Sequence, residues 1–322
     1  MRPTIRLTLV LLTLLFLAAC GRKPLQFPIE RTASRLARGN YLVNSVAQCF
    51  GCHTEDTPDG DRAGLPRAGL EGSGNVFKLD ALHLSVSVPN ITPDSETGLA
   101  AVSDQDLFRA ITQGIGHDGH TLFPMMPYKY FHEMADEDLA SIIVYIRSLP
   151  AKRNQLPKSE IPPMLANTYK PLDPRPPNFT ADLSTPSKRG AYLANAAHCI
   201  GCHTAFDMTT LQPKAGMEFG GGAVFDTPKG PVASANLTPD PSGISYYDER
   251  MFLEVIRTGA NGARKLSTQM PWKIFRHMTD TDLRDIFAFL RMVKPVHHRT
   301  DNTEVFTPCK KCGNRHGLGA DN

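Results

Sequence analysis

Cys49-Phe50-Gly51-Cys52-His53-Thr54 returns as Cys199-Ile200-Gly201-Cys202-His203-Thr204, and this repeated stretch decides how the 322 residues are read. Cysteines at i and i+3 share one face of a helix, so both sulfurs can reach the two vinyl-derived carbons of a porphyrin. The histidine that follows then lies under the ring, where its imidazole can ligate iron. A lone Cys-x-x-Cys also suits a disulfide or half of a zinc site. The added histidine and the second copy point instead to covalently bound haem c, twice. Cys49, Cys52 and His53 are assigned to one haem, and Cys199, Cys202 and His203 to the other.

Working outward, the repeat extends over most of the chain. Arg38-Gly39-Asn40-Tyr41-Leu42 recurs as Arg189-Gly190-Ala191-Tyr192-Leu193, and Asn90-Ile91-Thr92-Pro93-Asp94 as Asn236-Leu237-Thr238-Pro239-Asp240. Met126-Pro127-Tyr128 recurs as Met270-Pro271-Trp272, and Met134 to Leu139 as Met278 to Leu283. Each half reads as helical with long loops. Apolar residues at helical spacing cover 34–48, and acid-led helices begin at Asp104 and Asp136, with counterparts at 248–259 and 279–292. The Gly-rich stretches 60–75 and 215–230 read as loops. Between the halves, Pro162-Pro163 and Pro174-Arg175-Pro176-Pro177 rule out a helix interior and favour an extended strap.

Each iron needs a sixth ligand. Met126 and Met270 hold matching places in the repeat, each followed by proline and an aromatic, and are expected to supply thioethers. Met125 has no counterpart. His117 and His120 have none either and are expected at the surface; His198 is expected to pack beside its haem. A soft thioether stabilises ferrous iron, and two filled axial positions leave no site for oxygen or peroxide. The expected task is one-electron transfer, with a di-haem peroxidase as the alternative.

The N-terminus carries Arg2 and Arg6, an apolar run from Leu7 to Ala19, and Leu17-Ala18-Ala19-Cys20-Gly21. This is an export signal ending in a lipobox-like sequence, so cleavage before Cys20 and lipidation of its sulfur are expected. The protein would then sit in the cell envelope, tethered to a membrane and facing the periplasm. With 35 Lys+Arg against 32 Asp+Glu the net charge is only +3, which argues against a nucleic-acid partner. A chain 41% hydrophobic and 21% charged is globular rather than disordered.

Together these residues resemble the cytochrome c subunits of bacterial membrane-associated alcohol and gluconate dehydrogenases. The resemblance is carried by Cys-x-x-Cys-His-Thr, by Asn-Ile-Thr-Pro-Asp-x-x-Thr-Gly at 90–98, by Gly-His-x-Leu-Phe-Pro-x-Met-Pro-Tyr at 119–128 and by 136–150. In the second half it runs through 214–240 and 270–290. It implies an all-α fold of two tandem mitochondrial-type cytochrome c domains with long loops, joined by a Pro-rich linker. The division expected is a signal at 1–19, a tether at 20–33, domains at 34–150 and 187–296, the linker at 151–186 and a tail at 297–322. It also implies a dehydrogenase as electron donor and a quinone, cytochrome or oxidase as acceptor. Departures are visible: the family's subunits usually carry three haem motifs where this chain has two, the expected anchor is an N-terminal lipid, the usual Gly-rich match is missing between 64 and 89, and Ala100-Ala101 stand where an aromatic is common.

Seven cysteines make an odd set. Cys20 and the four haem cysteines leave Cys309-Lys310-Lys311-Cys312-Gly313, which is not a haem motif. A disulfide across the turn, a metal site and a redox or partner-docking role are all open. In the second case His316, with His297 or His298, would complete four zinc or copper ligands. Taken alone, His297-His298 reads as solvated.

Overall fold

The computed structural model describes residues 29–57, 65–79, 83–166, 168–207 and 212–322. The leader and Cys20 therefore lie outside the described residues. Among the described residues, no helix is long and apolar enough to cross a membrane.

The first half is built on α1 (Ala33–Tyr41), which runs into a wider π-helical turn at Leu42–Val46, then α2 (Cys49–Cys52), α3 (Asp104–Gln113), α4 (Tyr128–Phe131) and α5 (Asp136–Arg147). A short α6 (Pro163–Ala166) lies in the strap. The second half repeats the plan with α7 (Pro186–Ala196), α8 (Cys199–Cys202), α9 (Glu249–Thr258), α10 (Trp272–Phe275) and α11 (Asp280–Leu290). Helix starts follow local chemistry. Thr32, Ser103, Thr185, Asp248 and Thr279 each accept an amide N–H three residues on. Gly114 and Gly259 close α3 and α9 in the left-handed conformation at φ 70° and 67°.

In each half the first and last long helices cross at near contact. A Cβ on Gly39 would lie 1.9 Å from the Ser141 carbonyl oxygen, and one on Gly190 would lie 1.8 Å from that of Asp285. Only glycine allows these crossings. Arg38 fastens the first with a bidentate pair to Asp138 at 2.8 Å, and Arg189 fastens the second to Asp285 at 2.6 Å. Leu42, Val43, Leu139, Ile143, Leu193 and Leu283 form part of one apolar core that continues from one half into the other.

The expectation of an all-α fold needs correction. The chain is mostly helical, but Asn75–Leu79 (β1) and Leu84–Val88 (β2) pair antiparallel, with Leu84, Val86 and Val88 buried on alternate positions. This period of two was present in Leu-Ser-Val-Ser-Val. Short two-stranded pairs also close loops of the second half, and Phe306–Pro308 pairs with Arg315–Gly317 in the tail. The strap is extended and lies along the first half. Glu160 bridges to Ser85, and the buried Arg175 bonds the His132 carbonyl at 2.7 Å and Asp136 at 2.5 Å.

Candidate haem sites

Residue 48 and residue 198 turn the chain into the two motifs. Gln48 and His198 both adopt φ near +45° (46° and 43°), and α2 and α8 begin immediately after. One helical turn then carries both cysteines of each motif. Burial pushes Cys49 and Cys199 up to about 12 and Cys52 up to about 11, and raises Cys202 as well. Burial likewise lowers the proton affinity of His53 and His203.

Each imidazole is oriented by a backbone carbonyl. His53 Nδ1 donates to the Pro89 oxygen at 2.8 Å, and His203 Nδ1 donates to that of Ala235 at 2.8 Å. With Nδ1 as the donor, Nε2 is left with its lone pair, as an iron ligand requires. The carbonyl in turn is placed by the Asn-x-Thr-Pro-Asp element that follows it. Asn90 Oδ1 accepts the Thr92 N–H at 2.9 Å, while its Nδ2 donates to the Lys152 oxygen at 2.6 Å. Asn236 does the same with Thr238 at 2.9 Å and Val296 at 2.7 Å.

A second loop holds the histidine's own backbone. Gly74 N–H donates to the His53 carbonyl at 2.8 Å, and Gly221 N–H to that of His203 at 2.9 Å. Gly74 thus supplies in the first half what the Gly-rich loop supplies in the second, although the sequence match there is weak. Thr54 and Thr204, fully buried, accept the Gly72 and Phe219 amides.

The two methionine turns are also alike. Met126 N–H donates to Phe123 and Met270 N–H to Ser267, at 3.0 and 3.2 Å. Pro127 and Pro271 share ψ 46°. The following aromatic anchors the turn. The Tyr128 ring lies flat on Gly114 and the Trp272 ring on Gly259, where a Cβ would come within 2.6 and 2.1 Å of the ring. Met126 and Met270 both pack, partly buried, on the main core, whereas Met125 packs against the β1–β2 hairpin. His117 and His120 are exposed, as expected.

The residues present fit a haem. They offer two thiols on one turn, an imidazole whose Nε2 is free to bind, and a buried Trp272 Nε1 that finds no partner among the described residues. A carboxylate such as a haem propionate would satisfy that N–H.

The two motifs face one another, which the sequence did not foretell. Gln48 Nε2 donates to His198 Nε2 at 3.1 Å, and the His198 ring stacks on Tyr130 with centroids 6.2 Å apart. Gly51 lies against Ile274, and Gly201 against Tyr130. Two tyrosines close the contact reciprocally. Tyr41 donates to Asp282 and accepts the Thr279 N–H at 3.0 Å. Tyr192 donates to Asp138 at 2.6 Å and accepts the Ala135 N–H at 3.2 Å.

In the tail, Cys309 and Cys312 are free thiols rather than a disulfide. They lie with His298 and His316, all four buried, with ligand atoms within 4.8 Å of one another. His297 is exposed and pairs with Asp240 at 3.1 Å. The reading of His297-His298 as solvated therefore holds for His297 and fails for His298, whose exposure is 0%.

A cysteine–histidine turn of this kind in a mostly helical chain is the pattern by which haem c is attached, and the chain is similar to known proteins of that type. Residues 187–294 match the cytochrome c family model. The chain is 27% identical to the fructose dehydrogenase cytochrome subunit of Gluconobacter japonicus over 83% of its own length and 54% of the relative's. It is 28% identical to the gluconate 2-dehydrogenase cytochrome c subunit of Pantoea cypripedii, over 84% of its length and 61% of the relative's. A diheme cytochrome c-type protein of Cereibacter sphaeroides is 27% identical over 77% of this chain and 82% of its own. The chain spans little more than half the length of the two dehydrogenase subunits. Its second half is thus similar to the cytochrome c family, and most of the chain to a diheme cytochrome c-type protein.

Proposed function

We propose that the protein carries single electrons through two covalently attached haems c, each ligated by a histidine and a methionine. The pairs are His53 with Met126 and His203 with Met270, and the thioether positions are Cys49, Cys52, Cys199 and Cys202. When bound, each haem supplies a one-electron ferric/ferrous couple, whose potential a thioether ligand raises relative to a second imidazole. The chain's own residues hold the imidazoles by Nδ1, place the methionine turns, and exclude water with the apolar core.

The observation that carries this reading is the duplication of the whole site, down to the carbonyl on Nδ1 and the aromatic behind the methionine, with both motifs meeting at one interface. Two like sites in contact suit relay of electrons from one to the other. Like haems with both axial positions filled do not suit a peroxidase, which needs one displaceable ligand. By likeness to the dehydrogenase subunits, the donor is a dehydrogenase and the acceptor a quinone, cytochrome or oxidase of the respiratory chain. The leader and Cys20 support a lipid tether on the periplasmic face, with mitochondrial-type haem domains at 34–150 and 187–296.

The test is spectroscopic. The isolated protein should contain two haems c per chain, both low-spin in the ferric state with the thioether charge-transfer band in the far red. Met126→Ala and Met270→Ala should each abolish half of that band, lower the potential of one haem and open it to added imidazole. A high-spin ferric haem with rapid turnover of hydrogen peroxide would refute the carrier reading.

A further inference from the structure

We propose that the C-terminal tail holds a zinc ion in a buried Cys2His2 site formed by Cys309, Cys312, His298 and His316. This site is separate from both haems and independent of the electron-carrier reading.

The argument begins with the two imidazoles. His298 Nδ1 donates to the Gly220 carbonyl at 2.7 Å, and His316 Nδ1 donates to that of Gly317 at 2.9 Å. Both Nε2 atoms are therefore left with lone pairs, yet they lie 3.1 Å apart. Two lone pairs at that distance repel unless a metal ion, or a proton that makes one imidazole cationic, lies between them. Cys309 Sγ is 3.5 Å from His298 Nε2, and Cys312 Sγ is 3.3 Å from His316 Nε2. Zinc bonds of about 2.0 Å to nitrogen and about 2.3 Å to sulfur, set at tetrahedral angles, put ligands about 3.3 to 3.8 Å apart. The nearest ligand pairs, at 3.1, 3.3 and 3.5 Å, are close to that spacing, and all four atoms lie within 4.8 Å of one another.

The cysteine turn has the form of a metal-binding knuckle. The Cys312 amide points at Cys309 Sγ and the Asn314 amide at Cys312 Sγ, both at 3.4 Å. Gly313 supplies the left-handed residue at φ 86°. Such N–H···S contacts stabilise thiolates, and two thiolates exactly offset a divalent ion, so the buried site carries no net charge. The carbonyl-held imidazoles are the orienting partners that zinc ligands ordinarily have.

Comparison of the halves shows what was added. Thr92 accepts the Lys152 N–H as Thr238 accepts that of Val296, so residues 152 and 296 correspond. Two residues on, Asn154 Nδ2 donates to the Ser73 carbonyl at 2.9 Å where His298 Nδ1 donates to that of Gly220. An asparagine satisfies the structural need in the first half. The histidine in the second half meets the same need and leaves one more nitrogen, directed at the other three ligands. Neighbouring Gly221 donates to the His203 carbonyl, so the ion would clamp the tail to the loop that backs the second haem.

The test uses the haem-loaded full chain, reduced and incubated with Zn2+, then freed of loosely bound metal by dialysis. Elemental analysis should find one zinc for every two irons, and zinc K-edge absorption should show two sulfur and two nitrogen neighbours at about 2.3 and 2.0 Å. The double variant C309S/C312S should lose the zinc while retaining both irons, and His316→Ala should weaken retention at least tenfold. The haem spectrum reports folding of each variant. Failure of the reduced wild type to retain zinc would overturn the proposal, as would retention of a full equivalent by folded C309S/C312S.

Discussion

Tyr192→Phe removes one oxygen atom from the contact between the halves and leaves the ring. In the native protein this hydroxyl donates to the Asp138 carboxylate at 2.6 Å and accepts the Ala135 amide at 3.2 Å. Both Tyr192 and Asp138 are buried, with 8% and 9% exposure, so water cannot readily take its place. A hydrogen bond to a charged group contributes about 1.5–3 kcal/mol, and a second one to a neutral amide about 1 kcal/mol. Asp138 keeps its bidentate pair with Arg38, which limits the damage to the carboxylate. The expected loss is about 3 kcal/mol. Tyr41→Phe removes the mirrored bonds from a more exposed place, where solvent can compensate, and should cost about 1 kcal/mol. Urea unfolding of the holoprotein, followed by circular dichroism and by haem absorbance, measures both values. In the double variant the halves should unfold in two steps rather than one. A Tyr192→Phe cost under about 0.5 kcal/mol, or a larger cost for Tyr41→Phe, would refute the assignment of the tyrosines as the clasps of the interface.

Gly190→Ala must force α7 away from α11 by more than an ångström, and should cost about 2 kcal/mol or more despite alanine's better helix propensity. Gly51→Ala meets nothing nearer than 3.4 Å and should be neutral within about 0.5 kcal/mol, so thermal melting of the two variants separates a crossing from a merely crowded surface. His198 is lowered to about 4 by burial, and it faces Gln48 and the uncharged Tyr130 ring. The unfolded chain binds a proton there near pH 6.5. Stability should therefore fall as pH drops from about 6.5 to about 4, by at most about 3 kcal/mol, and His198→Gln should flatten that part of the profile. Unchanged pH dependence in the variant would exclude His198 as its source.

The haem motifs, the repeat and most helix limits were legible because they rest on local chemistry: spacing of cysteines, acids at helix starts, glycines at helix ends. The β1–β2 hairpin was legible too, in the alternation at 84–88. The meeting of the motifs was not. Tyr41 reads as one of the apolar residues of 34–48 and Tyr192 as its repeat counterpart, and only the fold shows that their hydroxyls reach the opposite half. The tail divides in the same way. Its cysteine spacing raised a metal as one option, but a choice between His297 and His298 depends on burial, which adjacent histidines do not announce.

The reciprocal clasp bears on how such a chain could arise and be taken apart. Tyr41 bonds across to Asp282 as Tyr192 bonds across to Asp138, and equivalent residues on each side exchange equivalent partners. That is the isologous interface of a two-fold homodimer, enclosed within one polypeptide. The strap then acts as a covalent tether, holding one pseudo-subunit at an effective concentration of order millimolar to the other. Once joined, the two copies are free to diverge without losing each other, and among the described residues the cysteine–histidine cluster belongs to one copy alone. Chains cut within 151–186 should still associate as a heterodimer.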